Sequence, residues 1–461
     1  MTEAGPRRVW IETFGCQMND YDSARMLRLL QDDGYERATD PIEADVIIFN
    51  TCSVRAKAEQ KALSRLGRVK GLRQLNRRLK FVFAGCFAQL AAADILARYS
   101  FLDLVLGVDA IPRLPRHLHD LAAGAGPIVD VAFAPTYEED VRDFGDLIPG
   151  KGSPVAAFVT IMRGCNNFCA YCVVPYVRGR ERSRPAAEIL REVRQLAARG
   201  VREITLLGQN VNSYGRGLPE GGDFADLLRQ VHEIDGLARI RFTTSHPKDL
   251  SDRLCRAFSE LPKLANHIHL PIQSGSDRVL AAMGRGYDRA TYLARLGALR
   301  AARPDIAITS DFLIGFPGET AADFGQTLAL VEQARFSNAF SFRYSERPGT
   351  AAARRPDDVP EDVKIARLIE LQELQRGITL ALHGELVGRK VTALVERRQE
   401  DGHLYPWTGK SGCYRELHFH GEGVAVGDLI TVKCEEAFPN HLLGVAVSRV
   451  EPGASGGRNA D

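Results

Sequence analysis

The sequence predicts an α/β protein in three parts: an N-terminal parallel-sheet α/β domain, a central partial or complete (β/α) barrel and a small C-terminal β-barrel. Three observations predict it. Short β-branched and aromatic runs alternate with amphipathic helical patterns through the first 130 residues. Six further strand-and-helix units follow in a row from residue 154. After a last helical pattern at 360–383 the chain turns Val- and Gly-rich, with short strand patterns only.

A chain of 461 residues divides into about three domains. Their boundaries are expected at 7–130, 151–383 and 384–450, with a disordered tail over 451–461. With 45% hydrophobic and 26% charged residues the composition is that of a soluble globular protein. No apolar run reaches the ~20 residues that span a bilayer, and no signal-peptide core precedes the first strand, so no membrane association is expected. Nine cysteines, three of them clustered too tightly for disulfides, point to a reducing and therefore cytoplasmic setting. The net charge of +2 is uninformative, but its distribution is not. Arg55 to Lys80 holds ten Lys/Arg against one acid, Glu59, while "YEEDVRDFGD" (137–146) is mostly acidic. The basic run fits a solvated helix face and a polyanionic partner equally.

In chain order, "VWIETFGC" (9–16), "DVIIFNTC" (45–52) and "KFVFAGC" (80–86) read as buried strands, each ending in a cysteine and each followed by a helical pattern. Cys16, Cys52 and Cys86 are 36 and 34 residues apart, about one βαβ unit each. If those strands are neighbours, the cysteines lie ~5–10 Å apart at the carboxyl edge of the sheet, where open parallel sheets bind ligands. Ordinary burial explains one such cysteine well, but three in register poorly. The stretch 132–153 is a linker pattern. Barrel strands are expected at 155–161, 203–209, 239–245, 267–272, 306–314 and 339–344. "RKVTALVE" and "DLITVKCEEA" belong to the C-terminal barrel.

"RGCNNFCAYC" (163–172) directly follows the first barrel strand, the end where such folds place chemistry. Zinc would require a fourth Cys or His, and none occurs in the next forty residues. Three thiolates, Cys165, Cys169 and Cys172, suit a [4Fe–4S] cube with one iron left open. This spacing, with Tyr171 before the last cysteine, resembles the radical S-adenosylmethionine (SAM) superfamily. "FGCQMN" (14–19), "NTCSVR" (50–55), "AGCFAQ" (84–89), "RGCNNFCAYCVVPYVRGRERSRP" (163–185), "LLGQNVNSYG" (206–215), "SHP" (245–247), "HLPIQSGSDRVL" (269–280) and "DFLIGFPGET" (311–320) resemble the blocks of its methylthiotransferases. The last segment is loosely similar to a TRAM domain, a small RNA-binding barrel. Arg55 followed by "AKA", and Phe87, depart from the family pattern.

The resemblance implies two [4Fe–4S] clusters, one on Cys16, Cys52 and Cys86 and one on Cys165, Cys169 and Cys172. One SAM would methylate a sulfur associated with the first; another, cleaved on the second, would yield the radical that takes hydrogen from C2 of an adenine, the base being flipped out. "GQNVNSYG" and "TSHP" favour the branch acting on isopentenylated adenosine 37 of tRNA. The rivals are a branch acting on threonylcarbamoyl-adenosine 37, one acting on a ribosomal-protein aspartate, and a non-catalytic RNA-binding protein with a structural metal. Expected partners are a tRNA anticodon stem-loop and a flavodoxin- or ferredoxin-type reductant, with the chain a monomer.

Candidate SAM contacts are Tyr171; Gln209 and Asn210, where relatives carry a Gly-Gly-Glu stretch; Gln273, Ser274 and Ser276 for ribose or carboxylate; and Gly315 and Gly318, where backbone meets adenine. For each, ordinary loop structure competes. Arg178, Arg180, Arg182 and Arg184 are candidates for phosphate or SAM-carboxylate contact, against a merely solvated loop. His267, His269, His418, His420, Cys255, Cys413 and Cys434 read as structural.

Overall fold

The structure, a computed structural model, describes residues 6–54, 56–135, 143–150, 153–399 and 402–450. Arg55, most of the acidic stretch at 137–146, the boundary residue 151 and the tail at 451–461 lie outside the described residues. The chain divides into two compact units. One holds residues 1–151, 158–166 and 172–192; the other holds 152–157, 167–171 and 193–461. The second unit thus takes in both the barrel and the C-terminal segment, which sequence patterning treats as separate.

In the first unit, β1 (Arg7–Thr13), α1 (Gln17–Asp32), β2 (Tyr35–Arg37), β3 (Val46–Thr51), α2 (Ala56–Val69), β4 (Lys80–Gly85), α3 (Cys86–Arg98), β5 (Leu104–Leu106), α4 (Leu114–Ala122) and β6 (Ile128–Asp130) form a wound sheet. Its strand order is β2-β1-β3-β4-β5-β6, and the pairs are parallel throughout. Alternation along the strands covers both faces. Val46, Ile48, Val82 and Ala84 pack with Met26, Leu30 and Leu118 on one side, and Ile47, Phe49, Phe81 and Phe83 with Leu66 and Ile95 on the other. Burial on both faces is what makes these strands nearly continuous apolar runs. Farther along this unit come β8 (Met162–Arg163), α5 (Val174–Arg178) and β9 (Arg182–Ser183), which pairs antiparallel with β8.

β7 (Ala156–Thr160) and α6 (Ala186–Ala198) each straddle the division. Within the second unit, β10 (Glu203–Leu207), α7 (Phe224–His232), β11 (Arg239–Thr243), α8 (Asp252–Glu260), β12 (His267–His269), α9 (Asp277–Ala282), α10 (Arg289–Ala302), β13 (Ala307–Ile314), α11 (Ala321–Ala334) and β14 (Asn338–Arg343) make the β/α core. Its strands form two three-stranded sheets, β7-β10-β11 and β12-β13-β14, linked among the described residues only by a bridge between Ile240 and Leu264, so the barrel is partial. The helix α12 (Glu361–Gly384) leads into a closed five-stranded barrel of β15 (Lys390–Arg398), β16 (Trp407–Ser411), β17 (Glu416–His420), β18 (Leu429–Ala437) and β19 (His441–Arg449). Buried Glu203 pairs with Arg239 at 3.1 Å and Arg241 at 3.0 Å. The two arginines in turn donate to the carbonyls of Lys410 (2.8 Å) and Gly412 (2.9 Å), which ties this barrel to β10 and β11.

Candidate metal centres

The register aligns Thr13 with Asn50 and Thr51 with Gly85, so β1, β3 and β4 end side by side. Cys52 and Cys86 follow their strands directly, and Cys16 caps the N-terminus of α1. Asn19, fully buried, donates to Asn50 Oδ1 at 3.2 Å and to the Thr51 carbonyl at 3.1 Å, and Asn50 Nδ2 returns a bond to the Asn19 carbonyl at 2.8 Å. Thr51 Oγ1 donates to the Ala84 carbonyl at 2.6 Å. These bonds lock the three strand ends together, and with them the cysteines. Gly85, at φ +95°, has no room for a Cβ, which would meet the Thr51 carbonyl at 2.5 Å.

Cys16 and Cys52 hydrogen-bond each other, and that bond, then burial, pushes the Cys16 thiol up; burial pushes up Cys86. Arg178 opposes both shifts. Three thiols near two helix N-termini, Cys52 and Cys86 buried and Cys16 half-buried, are costly as thiolates unless cations neutralise them. Among the described residues, no three Cys, His, Asp or Glu side chains gather tightly enough to enclose a single metal ion. A cube takes one thiolate per iron and needs no such crowding, so the donor set fits a [4Fe–4S] cluster. None of the nine cysteines forms a disulfide.

Arg178 corrects a sequence expectation. It is 4% exposed and pairs with Asp22 at 2.8 Å, so it presents nothing to a phosphate. Arg184 is likewise buried on Glu192, which also accepts from Tyr21 Oη at 3.2 Å. Arg182 holds Asp109 at 2.6 Å. Arg178 and Arg182 are drawn inward by carboxylates 156 and 73 positions away, and Arg184 by one 8 positions away. Only Arg180 of the four is exposed.

In the central loop, Cys165 and Cys172 belong to the first unit and Cys169 to the second. Gly164 (φ +76°) turns the chain so that the Cys165 amide reaches the Gly179 carbonyl at 3.2 Å. Val173, which follows Cys172, and Val177 on α5 pack with Cys86, Val108 and Leu90. In the second unit, Arg285 Nη1 donates to Cys169 Sγ at 3.3 Å and to Tyr171 Oη at 3.4 Å, while Nη2 is anchored on the Pro271 carbonyl at 2.7 Å. Sequence reading missed Arg285 and Asp22, which nothing local in the chain marks, and gave no role to Asn19, although it closes the block "FGCQMN".

At the carboxyl ends of β10 and β11, Asn210 is a support rather than a ligand. Its Nδ2 donates to Asp249 at 2.7 Å and its Oδ1 accepts from the His246 amide at 3.2 Å. Beside it, Gln209 Oε1, Asn212 Oδ1, Ser245 Oγ and His246 Nε2 are buried with no hydrogen-bond partner among the described residues. Four orphaned polar atoms on two adjacent strand ends fit a polar ligand such as SAM. His246 accepts from the Lys248 amide at its Nδ1 (3.3 Å), so the neutral ring carries its proton on Nε2. Burial, with Arg285 and Lys248, drives its pKa down to about 2, so it stays neutral.

Ser274 and Ser276 are spoken for: Ser276 Oγ caps α9 and donates to Asp323 at 2.6 Å, and Ser274 Oγ accepts from the Ser276 amide at 3.2 Å. Their expected ribose contact is therefore corrected, because both hydroxyls satisfy buried partners. Gln273, at φ +80°, bonds through its backbone to Asp311 and Leu313. The Gly318 amide donates to Asp358 at 2.6 Å, and Gly315 (φ +71°) lies against the Lys364 side chain. His267 and His269 both hold Thr309 Oγ1 at 3.0 Å, a structural role.

Residues 159–331 match the Radical SAM superfamily, and residues 8–107 match Uncharacterized protein family UPF0004. The chain is 48% identical to the tRNA-2-methylthio-N(6)-dimethylallyladenosine synthase of Geobacter metallireducens, over 95% of this chain and 98% of that protein. Proteins of the same name from Syntrophus aciditrophicus and Bordetella avium are each 45% identical, covering 95% and 96% of this chain and 94% and 92% of theirs. Among solved structures, the radical S-adenosylmethionine methyltransferase TsrM of Kitasatospora setae shares the fold at a TM-score of 0.54 and 14% identity, over 76% of this chain and 74% of that one. The cobalamin-dependent S-adenosylmethionine radical enzyme OxsB does so at 0.53 and 12%, over 81% and 56%. The matched blocks and the near-complete coverage agree: this chain belongs to the tRNA-2-methylthio-N(6)-dimethylallyladenosine synthase family of radical SAM enzymes.

Proposed function

We propose that the chain adds a methylthio group to C2 of N6-isopentenyladenosine 37 in tRNA, with Cys165, Cys169 and Cys172 holding the cluster that binds SAM and Cys16, Cys52 and Cys86 holding the second. The enzyme is an alkylthio transferase whose cofactors are [4Fe–4S] clusters and SAM. When bound, these supply the reductive cleavage of SAM and the sulfur chemistry. The chain's own residues bind, orient and exclude water. Asn19, Asn50 and Thr51 set the spacing of the first cysteine triad. Arg285 orients Cys169 and Tyr171. His246 Nε2–H offers a donor, and Gln209 Oε1, Asn212 Oδ1 and Ser245 Oγ acceptors, to the polar end of SAM.

The observation that carries this reading is the convergence of Cys16, Cys52 and Cys86 at adjacent strand ends, because radical SAM chemistry alone requires only the central triad. tRNA is taken up through its anticodon stem-loop. The exposed basic side chains of α2 and the TRAM-like barrel are the proposed RNA contacts, and Arg180 is the one loop arginine still suited to phosphate. A flavodoxin- or ferredoxin-type protein supplies electrons, and the enzyme acts as a monomer in the cytoplasm.

Anaerobic reconstitution should give about eight iron atoms per chain, and about four in either triple Cys→Ala variant. Removing Cys16, Cys52 and Cys86 should spare reductive SAM cleavage while abolishing the methylthio product in nucleoside mass spectrometry of tRNA. Product on a ribosomal protein, with tRNA inert, would replace this reading with the protein-modifying one. Recovery of zinc without SAM cleavage would replace it with the non-catalytic one.

A further inference from the structure

Arg178 is the last residue of α5, six residues after Cys172. Its guanidinium is buried in the first unit on Asp22, and Val177, the residue before it, packs with Cys86. Asp22 is itself buried and is shared: Arg178 Nη2 lies 2.8 Å from Oδ2, and Arg25 Nη1 lies 3.0 Å from Oδ1. Arg178 thus lies between Asp22 on α1 and the side chains packed around Cys86.

The Cys86 sulfur is dry. Val173, Val177, Val108 and Leu90 pack around Cys86. In such surroundings a nearby charge is felt more strongly than in water. Iron–sulfur potentials are set by net charge, hydrogen bonds to sulfur and solvent exposure; a buried charge and the exclusion of solvent meet at Cys86. A [4Fe–4S]²⁺ cube with three thiolates carries a charge of about −1, and about −2 once reduced. A guanidinium close to one of its sulfurs therefore favours the reduced form more than the oxidised one.

We propose that Arg178 and Asp22 together set the reduction potential of the cluster held by Cys16, Cys52 and Cys86, Arg178 raising it through its buried charge close to Cys86 and Asp22 restraining that effect. Both are positioning residues. The inference rests on the cysteine assignment made above, and its test separates the two.

The test uses the full chain carrying Cys165→Ala, Cys169→Ala and Cys172→Ala, so that only the second cluster titrates. Iron is counted after anaerobic reconstitution, and the midpoint potential is read by EPR-monitored redox titration. Arg178→Gln should shift the potential downward, Asp22→Asn upward, and Arg178→Lys downward by less than Arg178→Gln. Opposite signs are the signature, since general loosening would move both variants the same way. If Arg178→Gln fails to load iron, Asp22→Asn and Arg178→Lys still decide the matter. Unmoved potentials in loaded variants, or shifts of one sign, overturn the inference and leave the cysteine assignment standing. Absence of any cluster in the parent triple variant overturns the assignment itself.

Discussion

Arg285 Nη1 lies 3.3 Å from the Sγ of Cys169, with the same guanidinium fastened to the Pro271 carbonyl at 2.7 Å. A buried cation on a thiolate both orients it and offsets its charge. Arg285→Met should lower reductive SAM cleavage by about 10–100-fold, the usual cost of losing a partner behind a metal ligand. Arg285→Lys should recover part of this, because it keeps the charge but not the forked geometry. SAM cleavage with dithionite, alongside iron content, is the measurement; full activity in Arg285→Met would remove Arg285 from the centre.

Ser276 separates a structural hydroxyl from a ligand. Its Oγ caps α9 and donates to Asp323 Oδ1 at 2.6 Å, beside the Arg278–Asp323 ion pair. Ser276→Ala should cost about 0.5–2 kcal/mol of stability, the usual price of a lost cap, and leave the KM for SAM unchanged. Thermal denaturation and SAM-cleavage kinetics check the two halves. A raised KM at unchanged Tm would return Ser276 to the ribose.

The placing of Cys16, Cys52 and Cys86 near the ends of neighbouring strands was legible, because long buried strands announce themselves by β-branched and aromatic runs. β2, β5 and β6, of three residues each, were not, since so short a run carries no period. Arg178 was misread for a physical reason. An arginine in "VRGRERSR" looks solvated until Asp22, 156 positions earlier, is brought beneath it. Arg285 lies 116 positions from Cys169. Asn19 and Asn50 stood inside quoted motifs, yet only the parallel register of β1 and β3 makes them partners. Contacts closed by tertiary folding leave no local pattern to read.

Lys57, Lys61 and Arg68 lie on the exposed face of α2, whose other side buries Ala62, Leu66 and Val69. If this face meets the phosphates of tRNA, replacing all three with Gln should reduce the slope of log K against log[salt] by about 2, at roughly 0.7–0.9 per contact. Binding of the anticodon stem-loop across a salt series is the measurement. An unchanged slope would make the face merely solvated.

Asp130 accepts from Arg113 at 2.6 and 2.7 Å and from His117 at 2.8 Å, and these bonds, Arg113 first, hold its carboxyl down at about 2 against an ordinary 3.8. A folded-state pKa below the unfolded one stabilises the fold wherever the carboxylate is ionised in both states. That contribution is fully present above about pH 4 and is lost as the pH falls through the interval down to about 2. Asp130→Asn removes the titrating group. The cluster-free variant should therefore be less stable than the parent near pH 6, and the gap should narrow steadily between pH 4 and pH 2. Thermal midpoints over that range measure it. Parallel curves for parent and variant would mean that the Arg113 pair, though formed, does not couple Asp130 to folding.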